Sequence, residues 1–181
     1  MAKESKKQEN KEQNKKEQPD TTPILVPTDF SDHSVEALVY AAGLARLMER
    51  PITVLHIVHD PASAPGYYRR DTEDGDDRTM DALAAEMMDT FLATARKKDP
   101  ELDTDALDIQ LLDGIPSKRI VEYANMVNAA MIVMGSHGHR GMKALVIASK
   151  AKKVIKYAPM PVTIVKAQNV RKTLTQERQD S

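Results

Sequence analysis

Residues 133–165, VMGSHGHRGMKALVIASKAKKVIKYAPMPVTIV, decide the fold, because an apolar run leads into a glycine-rich turn, a helical pattern and a second apolar run. The first run, 131–134, is typical of a buried parallel strand and stops at Gly135. Gly141 follows, and a helical pattern continues from there through Lys156. Glycines at such a turn let main-chain N–H groups approach an anion, and the next helix adds its unpaired donors and positive dipole end. The stretch therefore predicts a phosphate-binding loop.

The spacing of this loop is Gly135, two residues, Gly138, nine residues, then Ala148 and Ser149. It resembles the ATP-binding motif of the universal stress protein family, in which the last pair is a glycine followed by serine or threonine. The resemblance implies that ATP, or AMP or ADP, binds here, with magnesium as a candidate companion ion. Gly135, Gly138 and Ser149 fall on phosphate-contacting positions, and Ala148 stands where the family has its last glycine.

The loop also contains three side chains that can carry a positive charge. His137, His139 and Arg140 could screen a polyphosphate, and solvent exposure without a role is the alternative. The full set of candidate residues around the phosphates is Met134, Gly135, Ser136, His137, Gly138, His139, Arg140, Ala148 and Ser149.

A second motif, ILVPTDFSDHS at residues 24–34, is similar to the family's opening motif. The resemblance implies that Pro27, Thr28 and Asp29 hold the adenosine end of the nucleotide. It also implies that Ile57, near the end of the apolar run 52–58, contacts the adenine ring.

Apolar strands alternate with helical patterns between residues 22 and 167, which predicts an α/β fold. We expect one parallel sheet of five strands in an open sandwich with helices on both faces, Rossmann-like and, by the resemblance, adenine nucleotide alpha hydrolase-like. The expected strands are 24–26, 52–58, 106–112, 131–134 and 161–165, and the clearest amphipathic helix covers 80–98. We expect polar tails at 1–21 and 168–181, the first of them disordered because it has too little apolar surface to fold.

Composition excludes several classes of function. The net charge of −1 gives no general attraction to nucleic acid or to an anionic membrane, and the absence of cysteine excludes disulfides and thiolate catalysis. No signal peptide or long apolar run is visible, so we expect a cytoplasmic protein. The chain has no GxxxxGK[ST], GxGxxG, GxSxG or HExxH pattern, which argues against a P-loop, a dinucleotide fold, a serine hydrolase and a zincin.

Two further features of the sequence each have two possible interpretations. The polar segment 61–79 follows a strand and could cover a nucleotide through Tyr67, Tyr68, Arg69 and Arg70, or form a solvated connection. His56 alternates within an apolar strand, which favours a structural histidine over a metal ligand.

Two functions of different class fit these observations. The first is an ATP-binding regulatory protein of the stress response, with nucleotide-linked dimerisation or partner binding and at most slow hydrolysis. The second is a dimeric interaction module that does not bind nucleotide, because a β-carbon at residue 148 would be unfavourable if that position needs a positive φ. Either would form a homodimer through the last strand, with Val162 and Ile164 as the candidate residues.

Overall fold

The computed structural model describes residues 21–58, 80–137 and 147–166 of the chain. Strands and helices alternate through these ranges, as the sequence predicts. The elements are β1 (Ile24–Thr28), α1 (Asp32–Met48), β2 (Ile52–Val58), α2 (Met80–Lys98), β3 (Asp108–Asp113), α3 (Pro116–Met126), β4 (Met131–Gly135), α4 (Ser149–Tyr157) and β5 (Val162–Val165).

The strands form a five-stranded sheet in the order β3-β2-β1-β4-β5, and every neighbouring pair is parallel. Helices α1 and α2 pack on one face, around a buried cluster that includes Leu38 and Phe91. Helices α3 and α4 pack on the other face, around Ile120, Ile132 and Val154. The expected α/β sandwich with helices on both faces is confirmed.

The central strands β1 and β4 are paired only at their amino ends. Their register includes Leu25 with Ile132 and goes no further, whereas β1 stays paired with β2 as far as Thr28 and His56. The chain leaves β1 and β4 toward opposite faces of the sheet, and this is the topological switch point where open α/β sheets bind ligands. A cleft between the two strand ends follows directly from the strand order.

Pro27 lies in a central strand, where a proline normally removes a ladder hydrogen bond. The carbonyl of Pro23 accepts from the Ala130 N–H, so the odd-numbered residues of β1 direct their backbone groups toward β4. Pairing with β4 has ended at Leu25, two residues earlier. The missing N–H of Pro27 therefore costs no ladder bond.

The structure corrects several of the expected boundaries. Strand β1 continues to Thr28 instead of ending at residue 26, and β3 begins at Asp108 instead of residue 106. The helical pattern expected to continue from Gly141 is wrong at residues 147 and 148, because α4 begins only at Ser149. Ala148 has an extended backbone there, with φ −54 and ψ 147, and its N–H bonds to the Ser136 carbonyl.

Several expectations fall outside the described residues: the two polar tails, the segment 61–79, and Gly138, His139, Arg140 and Gly141 of the loop. Across the ranges that are described, no helix is both long enough and apolar enough to cross a bilayer.

Candidate functional site

The turn between β1 and α1 is held by a chain of hydroxyl hydrogen bonds. The Thr28 hydroxyl donates to the Ser34 Oγ at 3.0 Å and accepts the Phe30 N–H at 3.0 Å. Ser34 in turn donates to the Ser31 carbonyl at 2.8 Å. Ser31 caps α1, because its Oγ accepts the Ser34 N–H. Thr28 and Ser34 are buried, so these bonds fix the backbone at the carboxyl end of β1.

Asp29 occupies the middle of this turn. Its Oδ1 accepts the Ser31 hydroxyl at 2.6 Å and the Ser31 N–H at 3.3 Å. Both bonds go to one carboxylate oxygen. The carboxylate is thus oriented by its own turn before any ligand arrives, and it is only partly buried.

His56 supports the turn from the neighbouring strand. Its Nδ1 lies 2.9 Å from the Thr28 carbonyl, and because a carbonyl oxygen only accepts, Nδ1 carries the hydrogen in this bond. The ring stacks on Phe30, with centroids 4.2 Å apart. Phe30 has a left-handed φ of 60, which its packing on His56 and Phe91 stabilises. The structure thus places His56 as a hydrogen-bonded structural histidine.

A cleft opens at the carboxyl ends of β2, β1 and β4, on the face covered by α3 and α4. It encloses about 600 Å³, including the solvent at its mouth, and we call it the switch-point cleft. Its walls are mostly apolar, with Asp29 and Lys150 as the charged residues among the described lining and two histidines beside them. The lining residues are Pro27, Thr28, Asp29, Ser34, Leu55, His56, Ile57, Pro116, Ile120, Met134, Gly135, His137, Ala148, Lys150 and Ala151.

Gly135, the last residue of β4, lies against the first turn of α1. A β-carbon at this position would lie 2.8 Å from both the carbonyl carbon and the carbonyl oxygen of His33. Real β-carbons essentially never come this close to backbone atoms. Glycine is therefore required here because two backbones approach each other closely. A left-handed conformation is not the reason, since Gly135 is not among the described residues with a positive φ.

Ser136 connects three elements at the end of β4. Its N–H donates to the Val165 carbonyl at 2.8 Å, and its carbonyl accepts the Ala148 N–H at 2.9 Å. Its hydroxyl lies 2.9 Å from Nδ1 of His137. Ser136 is buried and is not among the residues that line the cleft. It positions β5 and the start of α4 instead.

The first turn of α4 borders the cleft with its backbone N–H groups. Its N-cap, Ala148, supplies no capping side chain, and the first turn contains no acidic residue. Ala148, Lys150 and Ala151 line the cleft, whereas Ser149 is exposed outside the lining. A helix start that has no cap of its own, with a lysine beside it, has positive potential toward the cleft.

Two imidazole rings meet where α1 approaches the end of β4. The centroids of His33 and His137 are 5.0 Å apart, with the ring planes at 42°. Burial lowers the pKa of His33 below its ordinary value and His137 lowers it further, while Asp29, Asp32 and Glu36 act in the opposite direction. His33 is thus held toward its neutral form.

The structure brings together most of the residues that the two sequence motifs predict. Of these candidates Pro27, Thr28, Asp29, Ile57, Met134, Gly135, His137 and Ala148 line one cleft, while Ser136 and Ser149 do not. Sequence reasoning missed Ser34, Lys150 and the apolar wall of Leu55 and Ile120. Lys150 could have been found, because it directly follows Ser149 at the predicted loop, but the helix start had been placed too early.

The chain is similar to proteins of one family over most of its length. A family model described as the universal stress protein family matches residues 21–166. A universal stress protein of Methanocaldococcus jannaschii is 31% identical over 143 residues, which cover 79% of this chain and 81% of that protein. The stress response protein NhaX of Bacillus subtilis is 33% identical, over 79% of this chain and 96% of that protein.

One solved structure extends this comparison to a ligand. The universal stress protein of Archaeoglobus fulgidus in complex with dAMP aligns with a TM-score of 0.53 and 29% identity, over 80% of this chain and 98% of that chain. The complex shows an adenine nucleotide bound to that relative.

The close approach of Gly135 to the His33 backbone leads to a prediction about stability. We expect Gly135→Ala to lower the free energy of unfolding by about 2 to 3 kcal/mol, because its methyl group must displace the His33 backbone. Urea denaturation measures the change. Gly43→Ala in α1 is the matched control, since a β-carbon there meets nothing within 4 Å, and it should raise stability by up to about 1 kcal/mol. Equal stability of Gly135→Ala and wild type would contradict the packing role.

Proposed function

The chain belongs to the universal stress protein family, and from that premise we propose that it is an adenine-nucleotide-binding regulatory protein of the stress response. The observation that carries the proposal is the switch-point cleft, which has an apolar wall, an oriented carboxylate and an uncapped helix start around one space. The dAMP complex of the Archaeoglobus fulgidus relative supports the choice of ligand.

The adenosine half fits the β1 and β2 side of the cleft. Ile57, Leu55 and Met134 offer an apolar surface of the kind on which a planar base packs. Asp29 follows β1 and presents a carboxylate whose Oδ1 is already held by Ser31. Because ribose hydroxyls donate hydrogen bonds, the exposed part of this carboxylate is a suitable acceptor for them.

The phosphates fit the side where α4 begins. The N–H groups of its first turn have no capping side chain, and Lys150 adds a positive charge at the cleft. An anion at a helix N-terminus gains from both the free donors and the dipole. The sequence-predicted contacts of Gly138, His139, Arg140 and Ser149, and any magnesium ion, belong to this proposal.

The proposed action is regulatory. Nucleotide binding shifts the population of states that can dimerise or bind a partner, provided that its affinity differs between those states. Asp29 is the carboxylate that lines the cleft in the described part of the chain, and it already accepts two hydrogen bonds from Ser31. A carboxylate so engaged is a poor general base, so we expect at most slow hydrolysis of ATP.

Strand β5 is the proposed dimer surface. It ends the sheet after β4. The carbonyl of Pro161 accepts from Ile132 of β4, and the carbonyl of Val165 accepts from Ser136, the residue after β4. Strand alternation therefore directs the backbone groups of Val162 and Ile164 away from the sheet. The side chains of Val162 and Ile164 pack inward against the α3 and α4 core. A second copy would therefore pair with their backbone groups and not with their side chains.

The first prediction concerns the adenosine end. We expect Asp29→Asn to weaken binding of both ATP and adenosine by about tenfold or more, because it removes the charged acceptor for the ribose. Calorimetric titration measures both affinities. Glu101→Gln, at an 80% exposed side chain before β3, is the matched control and should bind like wild type. Unchanged affinity in Asp29→Asn would contradict this placement of the ribose.

Substitution of Ala148 distinguishes a nucleotide-binding protein from a dimeric interaction module that does not bind nucleotide. Ala148 has an ordinary negative φ, so a glycine gains nothing from left-handed geometry there. We expect Ala148→Gly to change ATP affinity by less than about fivefold, the effect of backbone freedom alone. Creation of ATP binding in Ala148→Gly, where the parent has none, would establish the alternative, a dimeric interaction module that lost its nucleotide.

The third prediction concerns assembly. We expect Val162→Pro to shift the protein from dimer to monomer in analytical ultracentrifugation, because it removes an outward N–H at the start of the edge strand, a position that tolerates proline. Thr163→Val keeps every outward backbone group and should remain dimeric. A dimer of unchanged strength in Val162→Pro would exclude pairing through β5.

A further inference from the structure

The contact between His33 and His137 is built into the switch point. His33 lies in the first turn of α1 and His137 lies two residues beyond β4, and Gly135 brings these backbones together. The ring centroids are 5.0 Å apart. Two imidazolium ions at this separation would repel each other, so the double-protonated state is disfavoured.

His33 faces several charged groups. Its Nδ1 is buried, and among the described residues no hydrogen-bond partner lies within reach. Burial and then His137 lower its pKa, whereas the carboxylates of Asp29, Asp32 and Glu36 raise it. The net effect is a lowered pKa of His33, and the three carboxylates partly offset the effects of burial and of His137.

His137 connects this pair to the cleft. It lines the switch-point cleft, and its Nδ1 lies 2.9 Å from the Ser136 hydroxyl. Among the described residues, the other titratable or charged side chains at the cleft are Asp29, Lys150 of α4 and His56, which is bonded to the Thr28 carbonyl. Helix α3 contributes Pro116 and Ile120, neither of which titrates. Within the described part of the chain, the pair is thus a group that can change charge when an anion enters the cleft beside His137.

We infer that His33 and His137 form a proton-linked pair that responds to the charge of the bound nucleotide, in that the pair takes up a proton when phosphate groups enter the switch-point cleft. The inference rests on the proposed function. His137 contacts or faces the phosphates, and His33 acts through His137 as a positioning residue. Nucleotide binding is thereby tighter at lower pH, and adenosine, which has no phosphate, lacks this dependence.

The sign follows from linkage. Phosphate anions favour the protonated ring, so the pKa of the pair is higher in the complex than in the free protein. The complex then binds more protons, and ATP affinity rises as pH falls through the range between the two values. One proton taken up gives at most about tenfold in affinity per pH unit.

The test is calorimetric titration of the full chain with ATP and with adenosine, from about pH 6 to about pH 8. Wild type is compared with His33→Asn and His137→Asn. The titration of ATP itself is the same for all three proteins, so the difference between them reports the histidines alone. We expect both variants to lose the increase of ATP affinity at low pH, and we expect His33→Asn, which lies outside the cleft lining, to bind adenosine like wild type at every pH.

A measurement on wild type alone covers the case in which a variant does not fold. Histidine C2–H resonances, of which the chain has five, are titrated by NMR with and without AMP. At least one pKa must rise on binding. Binding of ATP with the same pH dependence in all three proteins, or no histidine pKa raised by AMP, overturns this inference alone. Absence of ATP binding at any pH overturns the proposed function, and the inference with it.

Discussion

The pairing of β1 with β4 ends at Leu25, and this separation of the two strands is the constraint on which the rest of the structure depends. The strand order places these two strands side by side, yet their helices leave toward opposite faces of the sheet. The strand ends cannot stay paired while the chain diverges from them, so a cleft opens. Pro27 is compatible with this arrangement because its backbone nitrogen faces the side on which β4 has already departed.

The backbone around the cleft is fixed by short-range interactions that do not need a ligand. Thr28, Ser31 and Ser34 hold the β1 turn through hydroxyl bonds, and Ser136 holds β5 and the start of α4 through its backbone. Gly135 allows α1 to lie directly against the end of β4. The backbone donors at the start of α4 and the partly exposed carboxylate of Asp29 are therefore oriented in advance, which lowers the entropic cost of binding a ligand.

Much of the fold could be predicted from the sequence, because strand and helix periodicities differ and the chain alternates between them. The two motifs also identified most of the cleft. The start of α4 could not be predicted, since the apolar pattern near residues 147 and 148 suits a helix, whereas their backbone is set by a tertiary bond between Ala148 and the Ser136 carbonyl. The requirement for glycine at residue 135 also could not be predicted. It comes from the close approach of the His33 backbone, a residue about a hundred positions earlier in the chain. The pairing of His33 with His137 depends on the same approach of α1 to the end of β4.

We propose that the switch-point cleft of this universal stress protein binds an adenine nucleotide. The most direct measurement is calorimetric titration of the purified chain with ATP and magnesium, together with mass analysis of any compound released on denaturation. We expect one nucleotide per chain with micromolar or tighter affinity, or an adenine nucleotide already bound after purification. The absence of both binding heat and released nucleotide would contradict this proposal, and the protein would then act as an interaction module without a ligand.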